Sequence, residues 1–110
     1  MELKQPVRQV IKLLVERRYS ELELLTKGIR LGARDIAQAV ADYKKTLVIP
    51  PEDSYDLMNV VSVRNSEPPK WSIIMPLWTK EEGRSDLSIE LTLIKETQDF
   101  RIELDDIHVR

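Results

Sequence analysis

The single imidazole of the chain sits in the run Asp105-Asp106-Ile107-His108, close to two carboxylates. Imidazole and carboxylate together form a donor set that several divalent metals accept, and the same groups can move protons. Side chains alternate along an extended strand, so Asp106 and His108 share one side while Asp105 points to the other. Two donors from one strand do not complete a metal or acid–base centre. The run therefore reads as a surface histidine, or one paired with a nearby carboxylate. Other chemistry-bearing motifs are missing. The chain has no cysteine, which removes disulfides, thiol nucleophiles and cysteine metal sites. It has no glycine-rich phosphate loop, no H-E-x-x-H, no G-x-S-x-G and no lysine within a strongly apolar strand. The expectation is a protein without catalytic residues, a resident metal or a cofactor.

The densest polar group is Glu81, Glu82, Arg84 and Asp86, within a stretch that reads as a hairpin loop. These charges serve solvation, form a recognition edge, or hold the loop through an Arg84–Asp86 pair. The net charge of −2 conceals an asymmetry. Residues 1–50 carry ten Lys/Arg against six Asp/Glu, whereas residues 51–110 carry seven against thirteen. Two oppositely charged layers facing solvent would account for this. So would an acidic half that steers a basic partner. The same acidity argues against nucleic acid, whose phosphates it would repel.

The elements that must position these groups follow from periodicity. Pro6 suits a first helical turn, and Val7, Val10, Ile11, Leu14 and Val15 follow amphipathic helix spacing. Lys4, Arg8 and Lys12 then form a basic, solvated face. Ser20 and Glu23 have the spacing of a capping box, which predicts a short helix bearing Leu22, Leu24 and Leu25. Gly28 and Gly32 mark a turn, and Gly32 is placed as the N-cap of a third helix with Asp35 near its positive end. That helix buries Ile36, Ala39, Val40 and Tyr43 and runs to about Lys45. Pro50 and Pro51 stop it, and residues 50–56 read as an acidic linker.

Beyond the linker the period changes from 3.6 to 2. Strands are expected over 57–64 and 71–78, followed by a long hairpin with Leu87, Ile89, Leu91 and Leu93 opposite Phe100, Ile102 and Leu104. Pro76 marks an edge or a bulge. The inward positions Phe100, Ile102 and Leu104 are even, whereas Ile107 and Val109 are odd, so a β-bulge is expected near Asp105-Asp106. The predicted fold class is α+β: N-terminal helices packed on a curved four-stranded antiparallel meander. It is read as a single domain over 1–110, with 1–49 helical and 57–110 forming the sheet. No apolar run approaches the roughly 18 residues of a membrane span. The start of the chain lacks the apolar stretch of a signal peptide. A cytoplasmic protein without a membrane partner is expected.

The second face of that sheet is not wholly polar. Ile74 and Trp78 should face outward, joined by Met58, Val60 and Ile94 according to register. Glu90, Glu103 and Asp105 lie on the same nominal face. An apolar patch bordered by carboxylates suits a basic protein partner or a homodimer; a strongly curved sheet would instead wrap these residues into one core. The candidate partner-binding residues are Ile74, Trp78, Glu81, Glu82, Arg84, Glu90, Glu103 and Asp105. The alternative is a small-molecule pocket between helices and sheet, with Tyr19, Tyr43 and Trp71 supplying polar handles.

Two resemblances follow. Three helices followed by long antiparallel strands, entered through VERRYSELELL, resemble the NTF2-like (cystatin-like) α+β cone. That likeness implies a cone-shaped fold whose members include enzymes, scaffolds and immunity proteins. This chain lacks the Asp–His or Tyr–Asp constellation of its enzymes. The segment PKWSIIMPLWTKEEGRSDLSIELTLI followed by FRIELDDIHV, roughly residues 68–109, is similar to a small bacterial family of unknown function. An adaptor or immunity-like protein-binding role is the function expected.

Overall fold

Apolar spacing builds the first helix as expected. In the computed structural model, which describes residues 2–110, α1 spans Lys4–Val15 and buries Val7, Val10, Ile11, Leu13 and Leu14. It ends in a Schellman turn. Arg17 adopts φ of 59°, and the N–H groups of Arg17 and Arg18 donate to the carbonyls of Leu14 and Leu13. The basic face is not simply solvated: Lys4 pairs with Asp56 and Arg8 with Glu52, and the Arg8 guanidinium lies 5.0 Å from the Tyr55 ring centroid.

The second helix, α2, spans Tyr19–Thr26, so Ser20 lies inside it and caps nothing. Glu23 is used elsewhere. Its carboxylate accepts the Ala33 N–H at 2.6 Å, satisfying a free amide at the start of α3, Ala33–Tyr43. Gly32 is the N-cap of α3, and its N–H donates to Asp35 at 3.2 Å. Gly28 (φ +59°) makes the turn between these helices; an added Cβ there would be strained and would meet Glu23 Cγ at 3.3 Å.

The acidic stretch after Pro50-Pro51 is not a linker. Glu52–Leu57 forms a 3₁₀ segment that buries Ser54 and Tyr55, the latter 3% exposed. Its acids meet Lys4 and Arg8, so it fastens α1 to the sheet side of the molecule.

The sheet is antiparallel and has five strands rather than four: β1 Leu47–Val48, β2 Asn59–Ser62, β3 Lys70–Thr79, β4 Gly83–Lys95 and β5 Phe100–Val109. Their order is β1-β3-β4-β5, with β2 also paired to β3. Two residues are too few to show alternation, which is why β1 has no signature in the sequence. Even-numbered residues of β3 turn their backbone groups toward β2 and β1: Val63 N–H donates to Lys70 O, and Lys80 N–H to Thr46 O. Pro76 falls between the segments those two strands pair with, so its missing donor faces an unpaired gap. The β3–β4 register also shifts between Pro76 and Trp78, as expected for a bulge. There the Ser85 hydroxyl bridges the irregularity, donating to Leu77 O at 2.8 Å and accepting the Leu87 N–H at 3.2 Å.

The second irregularity falls where the parity slip points. Glu90 pairs with Asp106 and Leu91 with Leu104, leaving Asp105 as the extra residue. The insertion returns Ile107 to the face occupied by Ile102 and Leu104, and all three are buried. Val109 is in phase as well but lies at the rim and is exposed. The core joins α1, Leu22, Ile36, Leu47 and Tyr55 to Ile73, Met75, Leu77 and the odd-numbered leucines and isoleucine of β4. Trp71 packs edge-on against Phe100, ring centroids 5.7 Å apart, at one end of this layer. No helix among the described residues is long and apolar enough to cross a membrane.

Candidate functional site

Register sorts the side chains of the sheet into two faces. Away from the helices, Asn59, Ile74, Glu90 and Asp106 form one cross-strand row, and Val61, Ser72, Thr92 and Glu103 form the next. Pro76, Ser88 and His108 make a third row, and Lys70, Ile94 and Arg101 a fourth. Val60 pairs with Ile73, so it turns to the helix side, where Met58 packs on the core; neither belongs to the outer face. Ile94 does face outward, yet it is buried, as is Ser88. Ile74 and Trp78 are half-buried on this face, with Pro76 between them.

One cluster on this face holds most of its chemistry. The bulge at Asp105 places Asp106 directly across from Glu90 and keeps His108 on the same side. His108 Nδ1 lies 2.9 Å from Asp106 Oδ2 and 3.7 Å from Glu90 Oε2. One ligand-type atom from each residue lies within 4.8 Å of the other two. Each carboxylate is anchored through its second oxygen. Arg110 donates to Glu90 Oε1 at 2.9 Å, and the Ile107 N–H donates to Asp106 Oδ1 at 2.9 Å. His108 Nδ1 is itself buried and makes no aligned hydrogen bond. The in-strand pair expected from Asp106 and His108 is therefore a three-residue group, completed by a residue of the neighbouring strand.

Asp105 sits beside this group rather than in it. It accepts a hydrogen bond from the Thr92 hydroxyl at 2.6 Å and lies 3.9 Å from Arg30. Burial pushes its carboxyl up from the ordinary aspartate value, against the opposing Thr92 bond and Arg30 charge. Glu103 lies 3.9 Å from Arg101. Glu90, Glu103 and Asp105 each stand next to an arginine, so the acidity of the second half of the chain is largely balanced on this face.

The loop carboxylates lie elsewhere and are engaged internally. Glu81 accepts the Thr46 N–H at 2.8 Å and its hydroxyl at 2.9 Å, which holds its carboxyl below the ordinary glutamate range. Glu82 accepts from Tyr43 at 2.9 Å and from Thr79 at 3.1 Å. Burial, then the Glu82 carboxylate, pushes the Tyr43 phenol up. These two acids, rather than the Arg84–Asp86 pair that is one of the alternatives above, tie the β3–β4 loop to α3 and to Thr46 just before β1. Among the described residues Arg84 makes no ion pair; it is exposed beside Trp78 in the register.

The grooves lie on the outside of the molecule. One of about 350 Å³ runs along the outer face past Asn59, Ile74, Pro76, Ser88 and Arg110. Another, of about 270 Å³, borders His108 from the α3 side with Tyr43 and Ile107. Between helices and sheet, Ile11, Leu14, Ile73, Met75, Ile89 and Leu91 fill the space at no more than 1% exposure.

A family model described as "Domain of unknown function (DUF7668)" matches residues 11–110, and the chain belongs to that family. No curated protein matches the chain. No solved structure matches it.

Proposed function

We propose that this member of the DUF7668 family is a non-catalytic protein-binding module that works through the outer face of its sheet. The observation behind this reading is the half-buried strip Ile74-Pro76-Trp78 on the outer register face of β3, with Trp78 also packing against the core at its edge, beside the charge pairs Glu90–Arg110 and Glu103–Arg101. Interfaces of this kind anchor on aromatic and aliphatic centres within a polar rim. A basic partner would compete with Arg30, Arg101 and Arg110 for Glu90, Glu103 and Asp105, so charge tunes the encounter while Trp78 supplies the anchor. In this reading the chain is a cytoplasmic, bacterial adaptor or immunity-like protein, consistent with its resemblance to NTF2-like scaffolds. A ligand pocket inside the sandwich draws no support from its filled core.

A photo-crosslinking residue placed at Ile74 should capture a partner in cells, whereas one at exposed Gln9 on α1 should not. Binding of the purified partner should weaken with salt and with Glu103→Lys. Equal capture from both positions, or none from Ile74, would remove the proposal. The near balance of charge on the face favours a second reading, a homodimer whose identical faces pair. A monomeric mass in light scattering at high concentration would exclude it.

A further inference from the structure

We propose that Glu90, Asp106 and His108 form a binding site for a divalent transition metal of the Zn²⁺ type, on the outer face of the sheet. The donor set is mixed, one imidazole nitrogen and two carboxylate oxygens, a combination suited to borderline metals rather than to Mg²⁺ or Ca²⁺. Its spacing fits chelation. Zinc binds such atoms at about 2.0–2.2 Å, which puts neighbouring donors of a tetrahedral ion about 3.3 Å apart. The separations from His108 Nδ1, 2.9 Å to Asp106 Oδ2 and 3.7 Å to Glu90 Oε2, bracket that value.

A second, independent feature is how the donors are held. A carboxylate gathered only by surface charge keeps both oxygens in water. Here one oxygen of each acid is fixed by a separate donor, Arg110 for Glu90 and the Ile107 amide for Asp106, while the other turns toward His108 Nδ1. This is the outer support that metal-binding carboxylates require. The nitrogen they face is shut off from water, and the Asp106 oxygen 2.9 Å away makes no aligned hydrogen bond with it. Two carboxylates and Arg110 sum to one negative charge, so a dication is attracted. Three protein ligands leave at least one coordination position open. The outer groove, with Arg110 and the Ser88 that pairs with His108 in the register, lies alongside it.

The composition makes the test clean. His108 is the chain's only histidine and there is no cysteine, so any imidazole-dependent metal binding must pass through this residue. Protein freed of any polyhistidine tag is titrated with ZnCl₂ by calorimetry and with CoCl₂ by visible absorption. One metal per chain is expected, with binding weakening as protons compete at lower pH. His108→Ala should lower Zn²⁺ affinity at least 100-fold, and Glu90→Gln and Asp106→Asn at least tenfold each, whereas Glu103→Gln should leave it unchanged. In the unaltered protein Zn²⁺ should shift the His108 imidazole resonances and Co²⁺ should broaden them, a readout that does not depend on any variant folding. Absence of Zn²⁺ uptake at excess metal would overturn the site, as would uptake equal in wild type and His108→Ala, or imidazole resonances that ignore the metal.

Discussion

The two faces of β4 show how one strand meets two different demands. Leu87, Ile89, Leu91 and Leu93 point to the helices and are at most 2% exposed. Between them, Glu90 and Thr92 are half-buried and bonded to named partners, Arg110 and Asp105, while Ser88 is buried beside His108 in the register. The inner face is specified by volume, since aliphatic side chains need only fill space at native density. The outer face is specified by direction, because a hydrogen bond or metal bond fails when a donor moves by an ångström. A mutation at one position should therefore read out in stability, and at the next in binding.

Leu91→Ala should show the largest effect, a loss of about 2–5 kcal/mol in denaturant unfolding, from lost transfer energy and the cavity left behind. An equal loss from Glu90→Gln would collapse the distinction between the faces. Ser85→Ala probes the place where the strand changes register. It strips the Leu87 N–H and Leu77 carbonyl of a buried partner and should cost about 1–3 kcal/mol. Glu90→Gln itself should change stability by no more than about 1 kcal/mol, because its pair with Arg110 is part-exposed. Its effect should appear in Zn²⁺ affinity instead.

The smallest effect belongs to the loop at the end of the sheet. Thr46 holds the Glu81 carboxyl below its unfolded value, so this contribution is present at neutral pH. It is lost as pH falls through about 4.3, the ordinary glutamate value, toward the lower folded one. Melting curves of wild type and Glu81→Gln should converge on acidification; a gap unchanged down to the acid transition would dismiss the Thr46 contact.

Much of this architecture can be read from residue spacing. The i, i+3, i+4 positions of α1, the alternation in β3 to β5, the gap at Pro76 and the slip at Asp105 each leave a periodic trace. Features without a period leave none. β1 is two residues long, and the 3₁₀ segment buries Tyr55 inside a run of acids. Arg17, Lys27 and Lys44 take left-handed conformations at helix ends where glycine is the usual marker. Ser20 carries a cap signature and has no free amide to cap, because α2 begins before it.

The metal-type cluster falls between these cases. Asp106 and His108 are evident from one strand; Glu90 is not, because cross-strand neighbours require a register. A signal was nevertheless present. With the hairpin closed between Lys95 and Phe100, and one extra residue at Asp105, counting back places Glu90 opposite Asp106.

The extra residue at 105 also makes the last stretch of the chain tolerant of a shorter form at one place and intolerant of a longer one at the next. Without the Asp105 codon, Asp106 would follow Leu104 directly and still stand opposite Glu90, in the plain alternation of a regular strand. Ile107 would keep to the leucines and His108 to the outer face, while the contacts of Asp105 with Thr92 and Arg30 would go. One residue added between Asp106 and His108 would instead part the two onto opposite sides. Among relatives, a gap at 105 is therefore compatible with the cluster, whereas an insertion just after Asp106 would signal its loss.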